Sequence, residues 1–452
     1  MADITALAEV RIWGQRVGAV AEDADGVITF EYDDDFRTTG LEISPVHLPL
    51  AIEGPVQFPE LRRLEAFHGL PGVLADALPD RFGNAVIQRY FLDRGEPERA
   101  LSPVQKLLYV GDRAMGALQF RPALEVPTRE QERMPLEIAE LVAEARSIVE
   151  GKTDVAVPEI IRVGGSAGGM RPKALVLWNP DTDTIRSGLA IPHVGDEHWL
   201  LKFDGVRPVG SSGEEGEFRT DQAPLPYMRI EHAYSELARR AGLNVVETRL
   251  LKERRYAHLL VRRYDRVNGQ RVHQHTLGGL QHVDYNQPGA FSYEGYLRTV
   301  LELGLGYEQL EEAFRRVVFN VAAVNQDDHV KNLSFLMSGD GSWRLSPAYD
   351  LTFSRGQGWT RDHQMSVNGK RRDIERSDLV ALGKKFGIDR SGEEAIDQVA
   401  TALGDWETVT EQAGVPTENV EAIREQLRLR GLAREPKVKQ TSAAVQQDLP
   451  ED

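Results

Sequence analysis

The sequence has no cysteine. That excludes disulfides, thiolate-ligated zinc, iron–sulfur clusters and a thiol nucleophile, and it fits a reducing compartment. Long apolar runs are missing too. A membrane span needs ~18 apolar residues, and the richest stretch, Val317 to Val324, is interrupted by Asn320. The opening MADITALAEVRIWGQ has no basic segment leading into an apolar core, so the expectation is a chain without a secretory leader. No membrane partner and a cytoplasmic location follow as expectations. Basic charge is scarce: 54 Lys and Arg stand against 70 Asp and Glu, for a formal net charge of −16. Such a chain is not expected to hold nucleic acid on its own by neutralising phosphates.

What is present is globular. The 452 residues are 41% hydrophobic and 27% charged, enough for roughly two or three domains. Residues 1–127 open with RIWGQRVGAVAED and GVITFEYD, which alternate as half-buried strands do. A helical patch broken by Pro71 and Pro79 follows. Residues 133–150 carry a helical apolar face (Ile138, Leu141, Val142, Ala145, Ile148, Val149) stopped by Gly151. Residues 128–268 form a β-rich unit with a glycine-rich turn. HWLLKFDG is a short buried strand, 205–222 a mobile polar loop, and IEHAYSELARRAGL a helix. Residues 269–436 are mainly helical, with Ser391 and Glu394 giving a capping-box signature. Residues 437–452 lack a periodic apolar pattern and read as a disordered tail.

Chemistry concentrates in VNQDDHVKNLSFL, residues 324–336. Asn325, Asp327, Asp328, His329, Lys331 and Asn332 crowd between an amphipathic helix and an apolar run. Polar groups at that density are costly unless solvated or binding something. Phosphoryl transfer needs a carboxylate to take a hydroxyl proton and an amide oxygen to hold Mg²⁺, and in protein kinases these lie five positions apart. Asp327 and Asn332 have that spacing; Asp328 and Asn332 are four apart, so Asp327 is the better base. Asp350, in RLSPAYDLTF, stands where a second Mg²⁺ ligand is expected. A lone Asp–Asn pair is ordinary loop chemistry, whereas the ordered set Asp327, His329, Lys331, Asn332 and Asp350 is not.

Two further segments fit that reading. VGGSAGGMRPK, residues 163–173, brings Gly164, Gly165, Gly168 and Gly169 around Ser166 and Ala167. Their backbone N–H groups suit phosphate oxygens, although such a turn is also a plain hairpin and Lys173 beside it either reaches phosphate or is solvated. Lys202 lies inside an apolar strand, where an ammonium is expensive without a partner. Glu231, opening the next helix, is its candidate. The alternative for Lys202 is the exposed face of an edge strand. His273, His275 and His282 lack carboxylates at metal-site spacing, and QHTLGGLQH reads as a polar turn rather than a zinc site.

Together these segments resemble the HipA-type serine/threonine kinases of bacterial toxin–antitoxin systems, over about residues 8–435. LPDRFGNAVIQ, GGSAGGMRPKALV, IEHAYSELARRAGL, LVRRYDR, NQDDHVKN and SPAYDLT carry the resemblance. It implies an α+β, two-lobed fold of the protein-kinase-like, HipA/PI3-4-kinase-like kind, with an extra N-terminal subdomain and a helical C-lobe. It implies ATP and Mg²⁺ as cofactors, Asp327 as base, and Asn332 and Asp350 as metal ligands. Lys202, His329 and Lys331 would lie on the phosphates, and Arg262, Arg263 and Tyr264 at the adenine hinge. The family's hinge is usually acidic where this chain has Arg262, which leaves nucleotide preference open. Ser166 falls where the family autophosphorylates. The implied partners are an aminoacyl-tRNA synthetase as substrate and a small helix-turn-helix antitoxin of HipB type, with DNA reached only through the antitoxin. Two rival readings stand beside this one: a small-molecule phosphotransferase, and an idle corepressor partner of an antitoxin.

Overall fold

A computed structural model describes residues 3–96, 100–123, 136–150, 152, 171–206, 219–220, 223–224 and 226–427. The glycine-rich segment with Gly164, Gly165, Ser166, Ala167, Gly168 and Gly169 lies outside the described residues, as do Gly151, most of the polar loop and the C-terminal tail. The N-terminal part is a four-stranded antiparallel sheet. Strands β1 (Ile4–Ile12), β2 (Gln15–Asp23) and β3 (Ile28–Tyr32) are followed by the edge strand β4 (Leu118–Arg121), in spatial order β3-β2-β1-β4. Trp13 and Gly14 turn the first hairpin with φ of 46° and 81°, the left-handed pair that matches strand twist. Short helices at Gly72–Ala75, Arg81–Leu92 and Pro103–Val110 complete this part.

A five-stranded antiparallel sheet comes next. β5 (Lys173–Asn179), β6 (Thr184–Ser187) and β7 (Glu197–Lys202) join the strands Thr248–Glu253 and Tyr256–Arg262, with β7 third across the sheet. Lys202 therefore sits on an interior strand, not an exposed edge. The helix Tyr227–Arg240 buries Ile230, Ala233, Tyr234, Leu237 and Ala238 and joins the sheet to the helical half. Its Tyr234 hydroxyl donates to the Ala323 carbonyl at 2.7 Å. The helical half is built around Tyr307–Ala322, which packs against Arg390–Leu403 and Tyr293–Glu302. Phe314, Val317, Val318 and Phe319 are wholly covered. Truncating a side chain like Phe314 costs about 3–5 kcal/mol.

Four local expectations are corrected. The helix Arg390–Leu403 starts after Asp389 with no side-chain cap, and the Ser391 hydroxyl instead meets the Tyr307 hydroxyl at 3.1 Å. QHTLGGLQH is no polar turn: it is the strand His273–Thr276 followed by the helix Leu277–Gln281, with His273 and His275 fully buried. Arg219–Thr220, placed in the polar loop, pairs as a strand with Ala223–Pro224. Glu231 lies a turn into its helix rather than at its opening.

The N-terminal part docks on the helical half through buried polar contacts. Asp76 Oδ2 lies 2.7 Å from His275 Nδ1 and accepts from Thr276 N at 2.7 Å, while Oδ1 accepts from the Thr276 hydroxyl at 2.6 Å. Ser44 Oγ meets His275 Nε2 at 3.1 Å. Glycines allow this approach: a Cβ on Gly72 would fall 1.8 Å from the Gly279 carbonyl oxygen. Any side chain there would push the two helices apart.

Candidate active site

A cavity of about 260 Å³ opens where the five-stranded sheet, the helical half and the N-terminal part meet. Lys173, Lys202, Arg262, Arg263, Tyr264, Asp327, His329, Lys331, Asn332 and Asp350 all line it. Lys202 and Asp350, 148 positions apart in sequence, share one wall because β7 and the loop after the strand Trp343–Leu345 face each other.

The loop 325–332 follows the long buried helix directly. Val324 turns the chain with φ of 54°, which a β-branched residue rarely adopts. Backbone bonds hold it there: Ser354 N donates to the Val324 carbonyl at 3.2 Å, and Gln326 N to the Ser354 carbonyl at 3.0 Å. Strain maintained this way is typical of functional loops.

The two adjacent aspartates differ completely. Asp328 is fully covered; its Oδ2 accepts from the Tyr293 hydroxyl at 2.6 Å and lies 2.8 Å from His363 Nδ1, and its Oδ1 accepts from Gln364 N at 2.6 Å. Asp327 turns its carboxylate into the cleft with 40% of the side chain exposed, 3.8 Å from His329 Nε2. Surrounding protein mass disfavours its charged form and pushes its pKa above the usual Asp value. His329 pulls the other way, Asp350 and Asp328 reinforce the rise, and the Trp359 side chain favours the charged form. The Asn332 side-chain amide donates to the Asp327 carbonyl at 2.9 Å, which fixes its plane and turns Oδ1 away as a free acceptor.

Across the cleft, Lys202 Nζ donates to Glu231 Oε1 at 2.7 Å and to Asp350 Oδ1. Burial alone would discharge this lysine; Asp350 and Glu231 outweigh it and raise its pKa. Burial raises Glu231 despite Lys202. Asp350 is also penalised by burial, but Lys202 and then Lys173 hold it below the usual carboxylate range. Asp350 takes φ of 52°. Lys173 pairs at 3.3 Å with Asp80, both nearly buried, and Asp80 Oδ1 caps the helix Arg81–Leu92 by accepting from Gly83 N at 2.6 Å.

At the proposed hinge, Arg262 is held outward by Glu247 and Glu197, at 2.8 and 2.9 Å. Arg263 is buried in a bidentate pair with Asp265, at 2.9 and 2.7 Å. Tyr264 stacks on Tyr349 with ring centroids 5.6 Å apart. Leu200, Val261 and Met115 give this end of the cavity apolar walls.

Residues 165–426 match the HipA-like C-terminal domain family, and residues 8–121 match the HipA N-terminal domain family. The chain belongs to the HipA family. A HipA from Shewanella oneidensis, solved in a complex with HipB and its operator DNA, superposes with a TM-score of 0.63 at 18% identity, covering 93% of this chain and 95% of that one. This agrees with the two-lobed HipA fold. A Haemophilus influenzae protein named "Putative kinase" is 27% identical over 176 residues, 35% of this chain and 48% of that protein. The match thus spans about half the length of that curated relative. Among the described residues, no helix is long and apolar enough to cross a membrane.

Sequence reasoning did not single out several lining residues: Asp76, Asp80, Arg81, Thr276, Tyr285, Tyr349 and Trp359. Asp80 and Arg81 had a signal, since LPDRFG precedes a helix and Asp is a preferred N-cap. Asp76 had none, because its partners lie about 200 positions away.

Proposed function

We propose that this HipA-family chain is a protein serine/threonine kinase that moves the γ-phosphoryl group of ATP to a hydroxyl on a cellular protein. One observation carries the reading. Lys202, bridging Glu231 and Asp350 inside an interior strand, faces Asp327 and Asn332 across a single cavity. Phosphoryl transfer asks for this arrangement, because its catalysis is mostly positioning and charge stabilisation.

Asp327 takes the acceptor hydroxyl's proton or fixes its direction. Its carboxylate is partly exposed in the cleft and has acceptor capacity to spare. Lys202 presents fixed positive charge toward the phosphates, with Lys331 and His329 beside the acceptor. The apolar end under Tyr264 suits a purine. Asp350 and Asn332 offer one ionised carboxylate and one oriented amide oxygen. Hard oxygen donors of this number suit Mg²⁺, which completes its shell with phosphates and water. When bound, the ion supplies neutralisation of phosphate charge.

The solved HipA relative is complexed with HipB and operator DNA, which supports an antitoxin of HipB type as partner and DNA contact through it. An aminoacyl-tRNA synthetase as substrate, autophosphorylation on Ser166 and a cytoplasmic site of action complete the proposal. The test is incubation of purified protein with Mg²⁺ and γ-labelled ATP, alone and with a cell lysate, beside Asp327→Ala. Label on Ser166 or on a lysate protein, absent in the variant, is expected. Transfer only to small molecules, or ATP binding without any transfer, would overturn it.

A further inference from the structure

A second cavity, of about 560 Å³, adjoins the cleft. Side chains two apart on a strand share a face. Lys173 on β5 and Leu200 and Lys202 on β7 line the cleft, and Leu175 and His198 on the same face line the second cavity. The Arg263 side chain lines both and stands between them.

Four arginines line this second space: Arg113, Arg263, Arg266 and Arg271. Arg263 and Arg266 share a single carboxylate, Asp265. Arg113 and Arg271 have no carboxylate within ion-pair distance among the described residues. Arg271 donates to the Asp112 backbone carbonyl at 2.7 Å, and Arg113 donates to the carbonyls of Tyr109 and Val110. The Asp112 carboxylate is taken by Arg121 and Gln119. Both Arg113 and Arg271 keep a buried Nη1 without a hydrogen-bond partner among the described residues. On a chain of net charge −16, two half-buried guanidiniums with no ion-pair contact among the described residues stand out, since burying a charge unpaired is expensive; Arg113 lies over the Tyr109 ring at 4.3 Å, and Arg271 feels Asp112 and Asp265 only from beyond contact. Burial first, then Arg263 and Arg266, hold the His198 pKa down at about 4, with Asp265 opposing them.

We propose that this second cavity binds a small anion bearing phosphate or carboxylate groups, gripped by Arg113 and Arg271. Guanidinium forks favour such groups through paired, charge-assisted hydrogen bonds, and the volume suits a small metabolite. The site is separate from the catalytic cleft and does not depend on the kinase reading.

The test uses the full chain at constant ionic strength, with inorganic phosphate in one arm, citrate in a second and sodium chloride in the third. Thermal unfolding and calorimetric titration are the readouts. A saturable rise in Tm with phosphate or citrate, not matched by chloride, is expected; which of the two acts tells phosphate from carboxylate recognition. Arg271→Gln should weaken binding about tenfold or more, as loss of a charged hydrogen-bond partner does. Leu189→Glu is the second variant, because Leu189 lines the cavity and is only half-buried. It removes no polar contact of the fold and adds a competing carboxylate, so it should abolish binding. Anion held in the ATP cleft would survive Leu189→Glu. Equal Tm gains in that variant, or gains matched by chloride (an adventitious ion only), would overturn the proposal.

Discussion

Asp76 and Asp327 line the same cavity, yet they sit in opposite chemical states. Asp76 has its two oxygens taken by His275 and Thr276 at 2.6–2.7 Å. Burial works against its charge, but those partners hold its pKa below the usual range. Asp327 has a histidine 3.8 Å away and the Trp359 side chain favouring its charge, and its pKa is nonetheless raised by burial. Location in a pocket therefore does not assign a role. Unsatisfied hydrogen-bonding capacity does, because a carboxylate with saturated acceptors has nothing left for a substrate. Asp328, one residue from Asp327, makes the same point: it is saturated by Tyr293, His363 and Gln364 and serves to anchor the loop.

The widest separation should come from Asp327→Asn. Loss of the base is expected to cut phosphoryl transfer by about 10²–10⁴-fold, while Tm stays level or rises, since a carboxylate held in an unfavourable state is removed. A matching fall in Tm and rate would place Asp327 with the structural carboxylates. Lys202→Met ranks next. It strands Glu231 and Asp350 and should destabilise the fold by about 3–5 kcal/mol, read by chemical denaturation. Adding Glu231→Leu should recover a large part of that stability without restoring transfer. Recovery of both would remove Lys202 from the chemistry.

Asp76→Asn reverses the pattern of Asp327. It keeps the shape but weakens the clamp on His275 and Thr276, at a cost of about 1–3 kcal/mol, with transfer falling only as folded protein is lost. The wild-type clamp is also acid-sensitive. Because the folded pKa of Asp76 is depressed, its contribution is present above the unfolded Asp value and disappears as pH falls through the folded one. A denaturation series from neutral to acid pH should show the wild type losing more stability than Asp76→Asn.

The cleft-facing loop was legible in the sequence because its polar residues are contiguous: five-residue spacing to Asn332 separates Asp327 from Asp328, and the long helix before it announces itself by periodicity. The two-lobed fold followed from strand alternation, the helical half and the family resemblance. The clamp was not legible, because Asp76 meets partners 199 and 200 positions away and no local pattern encodes that distance. Ser391 failed for a related reason. Its capping signature is intact, but Tyr307, from another helix, takes the hydroxyl, and tertiary contact overrides local preference.

The smallest effect tests how bare Asp327 really is. Trp359 is 40% exposed at the mouth of the cleft, and its indole N–H favours the charged form of the carboxylate. Trp359→Phe keeps an aromatic ring and removes only that donor. In the proposed role Asp327 works as a base when deprotonated, so transfer is expected to fall as pH drops through its pKa. That acidic limb should already lie above the position of an ordinary Asp. In Trp359→Phe it should move further up, by a few tenths of a unit on the scale where one unit is about 1.4 kcal/mol, with the rate on the plateau little changed. A limb that stays in place would mean that the indole does not act on Asp327 and that burial and the neighbouring charges set its pKa. A limb that moves down would mean that the indole disfavours the charged carboxylate, and the contrast with Asp76 would then rest on burial rather than on the number of donors.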